Sequence, residues 1–181
     1  MYQDYKDLLS AFQSHGIKYL VVGGFAVIYH SQPRFTNDID LFIKAEPENA
    51  RATYAALADF GVSLQGIRPE DFTDRNSFFR FGSEPKGIDI LPAIPGVDFD
   101  AAWERRVETV IDPATGLKAN FISAGPHRFE AGFRTTARPC GRGRHPQGAG
   151  EPAARRSKKP RAERRWPVTV TSRPWRFAGG G

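Results

Sequence analysis

Asp38 and Asp40 stand two apart in Asp38-Ile39-Asp40-Leu41-Phe42-Ile43. Asp38, Asp40 and Phe42 alternate with Ile39, Leu41 and Ile43, which is the period of a strand, and a strand aims both carboxylates at one face. Two like charges side by side between apolar neighbours are costly unless a cation neutralises them. Mg²⁺ takes oxygen ligands and commonly links carboxylates to substrate phosphates. The same pattern also suits a polar edge, with the acids in water and the three aliphatic residues in the core. Asp89, inside Ile88-Asp89-Ile90, is either a third ligand from a neighbouring strand or a polar-face residue of an amphipathic one. Gly23-Gly24 follows Val21-Val22 and precedes an apolar run. A glycine pair leaving a strand and entering a helix lets backbone N–H groups approach a phosphate, or makes a tight turn and nothing more.

These residues need elements to position them, and the pattern supplies a set. Leu8, Leu9 and Phe12 share a helical face over residues 4–14, with Gly16 as a stop. Tyr19 to Val22 reads as a short buried strand and Phe25 to His30 as the helix after it, ending before Pro33. Asp38 to Lys44 is the acid-bearing strand. Pro47 opens an Ala-rich helix running to Phe60, with Gly61 beyond it. Ser77 to Phe81 and Gly87 to Leu91 are two further strands. Asp98 caps a short helix reaching Arg106. Val107 to Ile111 and Leu117 to Ile122 flank Asp112-Pro113-Ala114-Thr115-Gly116 as a hairpin. The predicted order is α-β-α-β-α-β-β-α-β-β, a mixed α/β (α+β) domain over residues 1–123.

Taken together, the glycine pair, a gap of 13 residues, the acid-x-acid strand and the later lone acid resemble the nucleotidyltransferase superfamily. The specific part is Val21-Val22-Gly23-Gly24-Phe25-Ala26-Val27 followed by Arg34-Phe35-Thr36-Asn37-Asp38-Ile39-Asp40-Leu41-Phe42-Ile43. The likeness is to small, minimal members and to the abortive-infection toxin type, and it covers residues 1–123. It implies a mixed sheet flanked by helices. It implies that Gly23 and Gly24 cradle an NTP triphosphate and that Asp38, Asp40 and Asp89 hold one or two Mg²⁺ ions. Asp89 would also orient or deprotonate an acceptor hydroxyl. Arg34 and Thr36 would touch phosphate or brace the loop. The implied reaction moves a nucleoside monophosphate from ATP or another NTP to RNA, a protein hydroxyl or a small molecule, in the manner of a toxin–antitoxin enzyme with a cognate antitoxin.

Composition divides the chain at the same point. Residues 1–123 carry 12 Lys/Arg against 17 Asp/Glu, a net of −5, whereas residues 124–181 carry 14 against 3, a net of +11. The overall +6 therefore describes the tail. The tail holds seven prolines and no lasting apolar period, so composition predicts disorder. It also lacks the lysine-bearing helix, Gly-Arg turn and Asp-Leu-Ala-Asp helix that the resemblance expects after Ser123. With chosen synonymous codons, Gly125 to Gly148 read one base downstream gives DLIASKLASGRPHDLADVDAIRK, which contains all three. The expectation is a frameshifted tail from about residue 124, an impaired enzyme and Phe-rich surface left uncovered. The alternative is a non-catalytic relic with a basic arm around Arg155-Arg156-Ser157-Lys158-Lys159 that binds nucleic acid non-specifically. A single cysteine, Cys140, excludes an internal disulfide. His15, His30, His127 and His145 lack metal-ligand spacing. No apolar run reaches membrane-spanning length and the start lacks a signal-peptide core, so a cytoplasmic protein with no membrane partner is expected.

Overall fold

A computed structural model describes residues 1–30, 37–83, 86–123 and 168–171. The chain runs α1 (Gln3–Ser14), β1 (Tyr19–Val22), α2 (Gly23–His30), β2 (Ile39–Ile43), α3 (Pro47–Phe60), a 3₁₀ turn (Pro69–Thr73), β3 (Phe78–Ser83), β4 (Lys86–Leu91), α4 (Phe99–Glu104), β5 (Val107–Asp112) and β6 (Leu117–Phe121). These six strands form one mixed sheet, and a seventh, β7 (Val168–Thr171), is added at one edge. The strand order is β5-β6-β1-β2-β4-β3-β7. The central pair, β2 and β4, is parallel, whereas β1 against β2 and β3 against β4 are antiparallel.

Local chemistry sets the boundaries. Pro47 occupies the first turn of α3, and Gly61 ends that helix in the left-handed region at φ 95°. Asp98 caps α4, its Oδ1 accepting the Ala101 N–H at 2.8 Å. Asn49 of α3 fastens the far end of the central strands. Its Oδ1 accepts the Lys18 N–H at 2.8 Å, while its Nδ2 donates to the carbonyls of Lys18 (3.1 Å) and Lys44 (2.9 Å).

Strand alternation then sorts the core. Tyr19, Val21, Ile39, Leu41, Ile43, Ile90 and Phe79 lie on one face, in register across β1, β2, β4 and β3. Phe12 of α1 meets Tyr19 edge-on at 5.5 Å, and Phe72 of the 3₁₀ turn meets Phe79 at 4.5 Å, so helical elements cover this face. Val22, Asp40, Phe42, Asp89, Leu91 and Arg80 lie on the other. There Phe99 of α4 packs on Phe42 at 5.0 Å and stacks on Trp103. All five residues of β2 are buried. Among the described residues no phenylalanine is exposed. The expected bare Phe-rich surface is therefore absent there: Phe72 of the 3₁₀ turn packs against Phe79 on one face, and Phe99 of α4 against Phe42 on the other.

The sequence reading placed no strand in the basic tail, yet Val168–Thr171 pairs antiparallel with β3. Val-Thr-Val-Thr is a short β-branched run, the residue class that favours strands, and the Arg/Pro composition around it hides that signal. The rest of the tail lies outside the described residues, as do Arg34 and Thr36. Among the described residues, no helix is long and apolar enough to cross a membrane.

Candidate functional site

The parallel register of β2 and β4 sets Asp40 directly beside Asp89. Parallel pairing with like alternation aims both side chains at the same face. Both are buried, at 7% and 5% exposure, despite their charge. The polar-edge alternative, with acids in water, therefore does not describe them. Asp38 lies immediately before β2, two residues from Asp40, and its charge acts on both of the other acids. Asp40 and Asp89 are thus side by side on one face, with Asp38 near enough for its charge to act on both.

Burial pushes the Asp40 carboxyl up to about 7, reinforced by Asp89 and Asp38 and opposed by Arg80 and the Gly24 N–H. Burial likewise raises Asp89 to about 6, with Arg80 opposing and Asp38 adding. Asp89 Oδ1 is buried without a hydrogen-bond partner. The Arg80 Nε lies 3.5 Å from it, which is an electrostatic contact rather than a hydrogen bond. A buried carboxylate oxygen lacking a donor is an expensive feature. It suits a hard divalent cation, whose ligands are oxygens.

Gly23 and Gly24 stand at the β1–α2 junction, where they attend to an acid. Gly23 has φ 62°, and a Cβ built there would fall 2.1 Å from Asp40 Oδ2. The Gly24 N–H, at the start of α2, donates to the Asp40 carboxylate. The glycine corner therefore lets the helix start close over Asp40 without a side chain between them.

Five participants escaped the sequence reading: Arg80, Gly87, Tyr5, Tyr2 and Lys86. Arg80, opposite Asp89 on β3, places Nη2 2.6 Å from Asp38 Oδ2. Gly87 gives this pair room: a Cβ there would lie 2.8 Å from Asp38 Oδ1 and 3.2 Å from Arg80 Nη2. Tyr5 of α1 donates towards the carbonyls of Asn37 and Gly87, the latter at 3.1 Å, and Tyr2 donates to Asn37 Oδ1 at 3.1 Å. Helix α1 thereby anchors the residue that leads into Asp38. Lys86 supports the same corner, 3.2 Å from Asp4 and 4.5 Å above the Tyr2 ring. A lone arginine between Phe79 and Phe81 is the mirror of the lone acid between Ile88 and Ile90, and that symmetry was the available clue.

Among the described residues, no group of three or more His, Cys, Asp and Glu is drawn together closely enough to hold a metal ion as it stands. The Asp38 carboxylate is instead held by Arg80. No family model and no curated protein sequence matches this chain.

Proposed function

We propose that this chain is built for Mg²⁺-dependent nucleotidyl transfer, moving a nucleoside monophosphate from an NTP to an acceptor hydroxyl, as the nucleotidyltransferase resemblance implies. The carrying observation is the buried, side-by-side pair Asp40 and Asp89, with one carboxylate oxygen lacking a donor. Such a pair costs stability unless a cation joins it.

On this reading Asp40, Asp89 and Asp38 hold the ion, which supplies Lewis-acid activation and charge neutralisation at the phosphates. The remaining work belongs to the protein. Gly24 and the α2 N-terminus hold the Asp40 carboxylate in place. Gly23 lets the start of α2 close over that carboxylate, and the cradling of a triphosphate by Gly23 and Gly24 enters on the resemblance alone. Asp89 would also orient the acceptor hydroxyl or take its proton, as the resemblance implies. The apolar surroundings of Phe42, Phe99 and Leu91 exclude water from one side. Arg34 and Thr36 enter as phosphate or loop residues on the resemblance alone. The acceptor class is RNA, a protein or a small molecule, in keeping with a toxin–antitoxin enzyme.

The test is transfer of label from α-labelled NTPs to a panel of acceptors, with Mg²⁺ and with chelator. Asp40→Asn and Asp89→Asn should each abolish transfer while leaving the far-UV circular dichroism spectrum unchanged. Activity that survives both substitutions refutes the proposal.

The +11 charge of residues 124–181 favours a second reading, non-specific polynucleotide binding. Because β7 lies in this segment, substitution is a cleaner test than deletion. Glutamine at Arg155, Arg156, Lys158 and Lys159 should weaken RNA binding and flatten its salt dependence. Unchanged salt dependence argues against the arm.

A further inference from the structure

Arg80 occupies an unusual position between two of the acids. Its Nη2 lies 2.6 Å from Asp38 Oδ2 and its Nε 3.5 Å from Asp89 Oδ1. The guanidinium is permanently charged and presents donors in a rigid fork, so it can serve two carboxylates at once. Here it serves them unequally, because Asp89 Oδ1 remains without a hydrogen bond. The contact with Asp38 passes through a gap in β4, where Gly87 lacks the Cβ that would crowd both groups. Arg80 is also the most solvent-accessible of the three, at 35% side-chain exposure against 29% for Asp38 and 7% for Asp89. It has a way out towards water that Asp89 lacks.

We propose that Arg80 is the built-in counter-ion of this site and competes with the divalent cation for Asp38 and Asp89. The inference rests on the metal-site reading above. A cation drawing the three acids together takes Asp38 from the guanidinium, and the positive charge of Arg80 repels the ion until it swings away. Arg80 therefore keeps the acids neutralised without metal and lowers the site's intrinsic affinity for it.

The test uses the full chain and Mn²⁺ alone as probe, with free Mn²⁺ measured by electron paramagnetic resonance and melting temperature recorded in parallel. Arg80→Gln should bind Mn²⁺ about tenfold more tightly than wild type. It should melt lower in EDTA and regain that loss when Mn²⁺ is added. Arg80→Lys, which restores the charge, should return affinity close to wild type. An Arg80→Gln protein that folds only with Mn²⁺ supports competition, since the ion then replaces the guanidinium. One that stays unfolded in saturating Mn²⁺ overturns it. Equal or weaker Mn²⁺ binding by folded Arg80→Gln overturns it too. If wild type binds Mn²⁺ and Asp40→Asn does not, that second result leaves the metal site standing and removes only the competition. Failure of wild type and Arg80→Gln alike to bind Mn²⁺ removes both.

Discussion

Replacing Asp40 by asparagine should stabilise the metal-free protein at pH 8. Asparagine keeps an acceptor for the Gly24 N–H and removes a charge that burial and two neighbouring acids oppose. The folded-state pKa is raised from 3.8 to about 7, so the folded protein retains a proton that the unfolded chain has lost. The contribution of Asp40 is thus fully present below pH 4 and is lost as pH rises through 7. Three units at 1.36 kcal/mol each set the loss at about 4 kcal/mol, a large share of a domain's net stability. The assay is urea unfolding in EDTA from pH 4 to 9, comparing wild type with Asp40→Asn. The difference is the informative quantity, because both proteins also carry Asp89, whose raised pKa tilts the curve in the same sense, and Asp74 and Glu108, whose lowered pKa values tilt it in the opposite sense. The two proteins should be close at pH 4, with the mutant ahead by up to about 4 kcal/mol at pH 8. Mg²⁺ at a hundred times its dissociation constant should return about 2.7 kcal/mol to wild type and less to the mutant. A pH-independent difference, or a wild type at least as stable as the mutant at pH 8 in EDTA, would refute the reasoning.

Other substitutions probe the supports. Gly23→Ala places a methyl group 2.1 Å from Asp40 Oδ2 at a positive φ, and should cost about 2 kcal/mol or more by thermal melting, with loss of metal binding. Tyr5→Phe removes the hydroxyl that donates to Asn37 and Gly87, and should cost about 1–2 kcal/mol. It should also weaken Mn²⁺ binding, which a purely structural tether far from the acids would not do. Asn49→Ala breaks three hydrogen bonds at the opposite end of β2 and should cost about 2–3 kcal/mol in urea while sparing metal affinity.

The elements that carry the acids were legible because strands announce themselves by period two. Asp38-Ile39-Asp40-Leu41 and Ile88-Asp89-Ile90 needed no tertiary information to be read as strands. Which strands lie side by side is a different matter. Nothing local says that β4 sits between β2 and β3, yet that order decides that Arg80 meets Asp38 across 42 residues and Tyr5 meets Gly87 across 82. The polar-edge alternative for the acids was equally consistent with the alternation. For Asp40 it fell only because both faces of β2 are covered, whereas Asp38, just ahead of the strand, keeps 29% of its side chain exposed. The 3₁₀ turn at Pro69–Thr73 was missed although Arg68-Pro69-Glu70-Asp71 carries its own signal. The Asp71 side chain accepts the Arg68 N–H at 2.8 Å. Val168–Thr171 was missed because a four-residue run is swamped when composition is averaged over 58 residues.

The ladder joining β2 to β4 works as a fixed caliper. Hydrogen-bonded strands stand about 4.8 Å apart, and sliding either by one residue would turn its whole set of side chains to the opposite face. The opening between Asp40 and Asp89 is therefore set by main-chain geometry, and packing on both sides leaves it little freedom to widen. Asp38 alone lies ahead of the ladder, attached to its first rung. On the proposed metal-site reading it is the adjustable jaw, and a change in the size of ion accepted should arise from residues that steer Asp38 rather than from the two acids locked in the sheet.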